Sequence, residues 1–404
     1  MTIDYNGRNI WGPSDGVPVT TYNIDYDRRD IDISSEISYL LPEATPFLTI
    51  LMRASKVKTG SVEFVWYDKD APSWWTKIDS SYIDSATTIE VTDASFLNPK
   101  DIIKNTVTGE VMFVSAVDTS VSPNELTVIR EYGYDSVAST GTQAAASNGE
   151  DDNIMKLGNA MEENSLSPDG HATQPSKNFN YVQTFRTPFD SSADNQAEGK
   201  EVGPDTRARL RKEQLIEHRI DIERQLMFGE RNEVIDADNK IRRMTGGVTQ
   251  FINSNSYDIA TENDGILTEQ EWENFCEMGL NWGSKRKLFL TSPRVGSIIN
   301  QFASGRIETT SGDDMYGMRL ARYISFHGDV VIATTKLFEN EYQSTGLMLD
   351  IGNISFRPFD GKDSTLKANI QENDRDGWKD EYMTKAGLQV ELDKTHAILT
   401  GVQR

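Results

Sequence analysis

Residues Ala260 to Glu271 come nearest in this chain to a chemical motif. They overlay a calcium-loop pattern, with Glu262 at its third position, Asp264 at its fifth, Gly265 at its sixth and Glu271 at its twelfth. Position one is alanine, which removes the oxygen that normally opens the cage, and Asn253-Ser254-Asn255-Ser256 does not read as the preceding helix. Glu271 also stands three residues after Thr268, where it completes a capping box ahead of Trp272. The segment therefore reads as a turn and a helix start. His171, His218, His327 and His396 are too scattered to give an i,i+4 pair, so no metal set can be drawn. Neither GxxxxGK nor GxGxxG occurs, and Gly246-Gly247 is too short to cradle phosphate. Cys276, among Trp272, Phe275 and Leu280, reads as a packed thiol rather than a nucleophile. In so acidic a chain Glu162-Glu163 and Asp313-Asp314 do not identify a glycosidase. No catalytic residue, metal or cofactor is expected.

Two groups suit recognition better. Trp66, Trp74 and Trp75 sit at the root of an expected hairpin, where large amphipathic rings fit a protein interface or, alternatively, a sugar platform. Lys285 to Arg306 carries five basic residues, Arg294 among them, and no acidic one. Because these flank an apolar strand and helix, ion pairing to an acidic neighbouring subunit is a simpler role than nucleic-acid binding.

The whole chain sets the limits. Its 404 residues carry 41 Lys and Arg against 63 Asp and Glu, a net charge of −22 that repels phosphate and anionic lipid. Apolar runs are short, Val330 to Ala333 being typical, so no membrane span and no membrane partner is expected, and no secretory signal is readable in residues 1–13. One cysteine excludes a disulfide framework. At 37% hydrophobic residues the chain is lean, which suggests that neighbouring subunits bury part of its surface.

The elements follow from local signals. Residues 1 to about 45 read as an extended arm, and a helix is expected from Thr45 through Met52, with Pro46 in its first turn. Val62, Phe64 and Trp66 alternate as one dry face of a strand, and Phe179, Tyr181 and Phe185 as another that pairs with it. Between them Thr88–Thr92, Asp101–Lys104, Glu110–Val117 and Leu126–Arg130 form a small all-β unit. Residues 79–156 hold 13 acidic and 4 basic residues, a balance of −9, and Ser136 to Asp152 reads as a tip or linker. A long helix runs from Pro204 to Phe228 with a thin stripe of Leu210, Ile216, Ile220, Glu223 and Met227. Arg209/Glu213 and Arg219/Glu223 are its i,i+4 pairs. Further on come a helix after Thr268, a buried strand at Lys287–Leu290, a helix opened by Pro293, and strands at Val330–Ala333, Leu347–Leu349, Leu388–Leu392 and Ala397–Leu399.

This order resembles the major capsid protein of tailed bacteriophages, the Hong Kong 97 fold, in the subfamily with a β insertion in the extended loop. The segments that carry the resemblance are Thr88–Val91 to Glu110–Val114, Asn180–Arg186, Ile222–Gly229 and Thr245–Val248. The resemblance implies an α+β capsid fold: an N-terminal arm at 1–57, an extended loop at 58–188 with its inserted β unit at about 79–155, and a peripheral domain at 189–285 whose spine helix is 204–228. An axial domain at 286–350 and a return to the peripheral domain at 351–404 complete it. It further implies a non-enzymatic virion subunit that assembles with copies of itself into hexamers and pentamers of an icosahedral shell in the host bacterial cytoplasm. That shell would work with a portal and with scaffolding or decoration proteins, and enclose double-stranded DNA without sequence-specific binding. The subunit-interface candidates are Trp66, Trp74, Trp75, Arg219, Glu223, Arg294 and Arg306. A carbohydrate-binding or carbohydrate-active protein, and a phage tail or decoration protein, are the alternatives.

Overall fold

The structure, a computed structural model, describes residues 2–3, 9–10, 46–135, 140–141, 147, 149–165, 174–197, 207–302, 307–309 and 321–403. Most of the expected arm and the 136–152 tip fall outside these residues, as do His171, Asp313-Asp314 and Arg306.

Helix α1 (Pro46–Ala54) opens on proline, whose missing N–H costs nothing there, and buries Phe47, Leu48 and Leu51. The chain leaving it runs beside residues 356–358, with Val57 N–H donating to the Phe356 carbonyl and Thr59 N–H to that of Pro358, both at 3.0 Å. Strand β1 (Glu63–Asp68) buries Phe64 and Trp66 but not Val62, which is 43% exposed, so its dry face begins one pair later than the alternation predicts.

Residues 67–178 are a compact unit of their own. Strands β2 (Trp75–Lys77), β3 (Thr88–Val91), β4 (Asp101–Asn105), β5 (Val111–Asp118), β6 (Asn124–Ile129) and β7 (Asn153–Asn159) form one antiparallel sheet in the order β2-β7-β4-β5-β6-β3. The four strands legible in the sequence are present. β2 and β7 are additions, placed together by main-chain pairing of Trp75 with Met155. One face packs Ile89, Val91, Ile103, Met112, Val114, Leu126, Val128 and Ile154 into a core. Glu110, fully buried, is held by Arg130 at 2.6 Å.

Strand β8 (Ser176–Tyr181) pairs with β1, as expected. Its buried residue, however, is Asn180 and not Phe179 or Tyr181. The Asn180 side chain donates to the Gly246 and Leu388 carbonyls at 3.1 and 2.6 Å and accepts from the Gly246 N–H at 2.8 Å, so a polar group fills the inward position without cost. The apolar inward positions resume at Val182 and continue in β9 (Gln183–Ser192) at Phe185 and Phe189.

The remaining chain forms a long helix and two sheets. Helix α2 (Arg207–Phe228) buries His218, Ile220, Ile222, Glu223, Leu226 and Met227, while its expected start at Pro204 lies outside the described residues. A ribbon follows, β10 (Asn232–Ile235) and β11 (Ile241–Met244), then β12 (Ser256–Asp258), helix α3 (Glu269–Leu280), β13 (Arg286–Thr291) and helix α4 (Pro293–Phe302). After these come β14 (Ile307–Thr309), β15 (Ala321–Ile324), β16 (Asp329–Thr334), β17 (Gly346–Leu349), β18 (Ile354–Pro358), β19 (Thr365–Lys367), β20 (Gly377–Val390) and β21 (Ala397–Thr400). The seven-stranded sheet has the order β12-β21-β17-β13-β16-β15-β14, and β20 is the centre of the four-stranded one, flanked by β9 on one side and β18 and β19 on the other. Leu392, grouped by alternation with Leu388 and Val390, lies beyond the strand in the left-handed region at φ 53°.

Strand β13 is buried on both faces, which is why its sequence is a continuous apolar run. Leu288 and Leu290 join a core with α1, Ile222, Leu226, Phe356 and Leu388. Phe289 joins the other, with Trp272, Phe275, Cys276, Val295 and Ile299.

Candidate assembly surfaces

The long helix α2 is fixed at its two ends by carboxylates. Glu223 turns inward and accepts the backbone N–H groups of Phe47 and Leu48 at 3.4 and 3.0 Å, so it caps the start of α1 and does not form the expected ion pair with exposed Arg219. Burial pushes this carboxyl up to about 8, and the two N–H bonds offset only part of that. Toward the other end, Asp380 of β20 takes bonds from Arg207 at 2.7 Å, Arg211 at 2.8 Å and the Asn369 N–H at 2.9 Å. Burial alone would raise Asp380, but these donors and the Arg207 charge outweigh it and hold the acid at about 2. The pair Arg209/Glu213 is present at 3.6 Å.

Lys287, the first residue of the strand expected to be buried, is 1% exposed. Its Nζ donates to the carbonyls of Gly279, Trp282 and Thr395, each at 2.6 Å, and burial pulls its pKa down to about 8. Lys287 is thus satisfied within its own chain and is not a surface charge of the 285–306 segment. Beside it His396 accepts the Asp350 N–H at Nδ1 and donates from Nε2 to the Glu391 carbonyl, both at 3.2 Å, a neutral tautomer that burial holds down to about 4. Arg294 is exposed and donates to the Gln403 carbonyl.

The tryptophans divide. Trp66 is 5% exposed and packs against Phe64, Val182 and Phe251 inside its own unit, so its ring is not free for a partner. Trp74 and Trp75 are 57% and 49% exposed. Trp75 stands on the outer face of the six-stranded sheet, opposite Met155, and the same face carries Ile102, Val111, Phe113 and Ile129. Sequence reasoning missed this face because β2 and β7 gave no pattern.

The calcium-like segment is resolved as two caps. Asp258 caps a short helix (Ile259–Asn263), Asp264 and Gly265 turn the chain with φ of 50° and 79°, and Thr268 accepts the Glu271 N–H at 3.3 Å. Glu271 does not close the capping box; it accepts the Tyr257 hydroxyl. Among the described residues no group of three or more His, Cys, Asp or Glu is placed to hold a metal ion. Cys276 is buried, and burial raises its thiol well above the usual range.

An α+β body with a long helix and a β unit inserted in a hairpin, together with the family match below, places the chain in a class: the Hong Kong 97-like viral capsid proteins. A family model described as SU10 major capsid protein matches residues 17–403, and the chain belongs to that family. It is a structural protein of a viral capsid. The solved structures similar to it include the capsid of an empty GTA particle, at 10% identity over 95% of this chain and 98% of that one, with a TM-score of 0.48. The holo-SrpI encapsulin complex of Synechococcus elongatus is similar at 12% identity over 57% and 77%, TM-score 0.38. Mycobacterium phage Patience is similar at 11% over 61% and 79%, TM-score 0.39. No curated protein matches the chain.

Proposed function

We propose that the chain is the subunit of an icosahedral shell, assembled from hexamers and pentamers in the host bacterial cytoplasm, that encloses double-stranded DNA. The observation that carries this reading is membership of a major capsid family over residues 17–403. The lean apolar content supports it, because a subunit that leaves aromatic and aliphatic side chains such as Trp74 and Phe326 exposed buries them on assembly. Residues 1–57 act as the arm, 58–188 as the extended loop, 189–285 and 351–404 as the peripheral domain and 286–350 as the axial domain. Trp74, Trp75, Arg219, Arg294 and Arg306 meet neighbouring subunits, and Trp66 and Glu223 brace those surfaces from inside. A net charge of −22 lets packaged DNA slide against the shell without specific binding. A portal and scaffolding or decoration proteins complete the assembly. Electron microscopy of the purified chain, alone and with its scaffolding partner, tests the reading: closed shells are expected, and only monomers in both samples would overturn it. Deleting residues 1–35 should leave folded subunits that no longer form stable shells.

A further inference from the structure

The ribbon of β10 and β11 is the part of the body least accounted for by its own chain. Seven of its eight strand residues are exposed, and Val234, Ile235, Ile241 and Met244 are 49%, 63%, 51% and 41% exposed. Among the described residues it pairs with no other strand. A two-stranded ribbon is marginally stable alone, and its bare edges are templates for another strand.

Its base, by contrast, is anchored. The Gly247 N–H donates to the Gly229 carbonyl at 2.7 Å, and a Cβ on Gly247 would meet the Met227 backbone at 2.8 Å, so only glycine allows this approach. Arg231 lies over the Phe179 ring at 3.8 Å and donates to the Phe179 carbonyl. The blade is therefore presented in a fixed place rather than hanging as a loose loop.

Its charges are sorted. Glu233, Asp236 and Asp238 belong to the first half, and Lys240, Arg242 and Arg243 to the second. They pair within the ribbon, Glu233 with Arg243 and Asp236 with Arg242 at 2.6 Å, in exposed bridges that cost little to exchange. In a chain of −22 the blade is neutral overall, so a second copy can approach here without the repulsion met elsewhere.

We propose that this ribbon is completed by a second copy of the chain, the acidic first half of the ribbon (232–238) in one copy lying beside the basic second half (240–244) of the next. The proposal rests on the shell reading and names one of its contacts. Two different edges meet, so the contact is heterologous and closes into a ring when the rotation between copies permits.

Crosslinking tests it directly, because Cys276 is buried and engineered thiols report alone. The full-length variants V234C and R242C are assembled together and separately, then treated with a short bis-maleimide. Covalent dimers are expected in the mixture at several times the level of either variant alone. Particles without that enrichment overturn the ribbon contact and leave the shell reading standing. Enrichment without particles does the reverse, and neither outcome overturns both. Hydrogen exchange then identifies the cover: amides of 232–235 and 241–244 should exchange about tenfold more slowly in assemblies than in dissociated subunits. Equal protection in both states would mean that the same chain covers the ribbon. Equal fast exchange would mean that no copy does. Either result overturns the proposal.

Discussion

Glu223, near the last turns of α2, and Asp380, facing its first turns from β20, are both withdrawn from water, yet their protons are held in opposite senses. Asp380 meets two guanidinium groups that bring full charge and several donors. Glu223 meets only two peptide N–H groups at the start of α1. Burial penalises both carboxylates, so the partner decides: a cation fork overcomes desolvation, and helix-end dipoles do not. The root of the N-terminal segment is thus tied to the long helix by an acid that stays largely protonated near neutrality. The central strand of the four-stranded sheet is tied to the same helix by a full ionic cluster.

The largest effect expected from this contrast is alkaline. Folded Glu223 keeps its proton up to about pH 8, whereas its ordinary value is 4.5, so the folded state binds more protons across that window. Its contribution is fully present below 4.5, is lost as pH rises through about 8, and amounts to several kcal/mol. Urea midpoints at pH 5 and pH 8 should separate in the wild-type chain and converge in Glu223→Gln. An equal separation in the variant would assign the pH dependence to another group. Asp380 acts with the other sign: its contribution is present above 3.8 and is lost as pH falls through about 2.

Next in size is Asp380→Ala, which leaves Arg207 and Arg211, each about a third exposed, without their carboxylate and should cost about 3 kcal/mol in chemical denaturation. A loss under about 1 kcal/mol would show that water serves those guanidiniums adequately. Lys287→Met removes the donor shared by three carbonyls and should cost about 2 kcal/mol. The cost should grow from pH 8 to pH 10.5, where the wild-type lysine, with its lowered pKa, gains stability relative to the unfolded chain. Smallest is Ile235→Thr on the exposed ribbon, within about 0.5 kcal/mol for the isolated subunit. Should that change unfold the subunit, the ribbon belongs to its internal core after all.

The elements legible in the sequence carry their signals locally. Thr268 caps α3, Pro293 opens α4, and Leu288–Leu290 forms a dry strand whatever lies beyond it. Strand β20 shows the opposite case. Its pattern is visible only near Leu388 and Val390, because earlier inward positions hold Asp380, Glu381 and Thr384. Their partners, Arg207, Arg186 and His218, come from far upstream, so no period marks them. The same reason hides Asn180 and gives Glu223 the wrong partner: the mate of a buried polar residue has no signal of its own in the sequence. Trp66 fails differently, since alternation marks its face as dry without saying which side of the subunit boundary dries it.

The register of β20 also dictates an order of events during synthesis. Its residues 377–386 pair with 192–183, so the four-stranded sheet has no centre until nearly the whole polypeptide has been made. The inserted unit needs nothing beyond residue 178. On a translating ribosome the acidic β unit is complete while α2 and β9 still wait for their closing strand, and late closure of distant pairings is the slow step. A nascent chain halted well past residue 178 but before 377 should therefore hold a protease-resistant β unit on an otherwise digestible body.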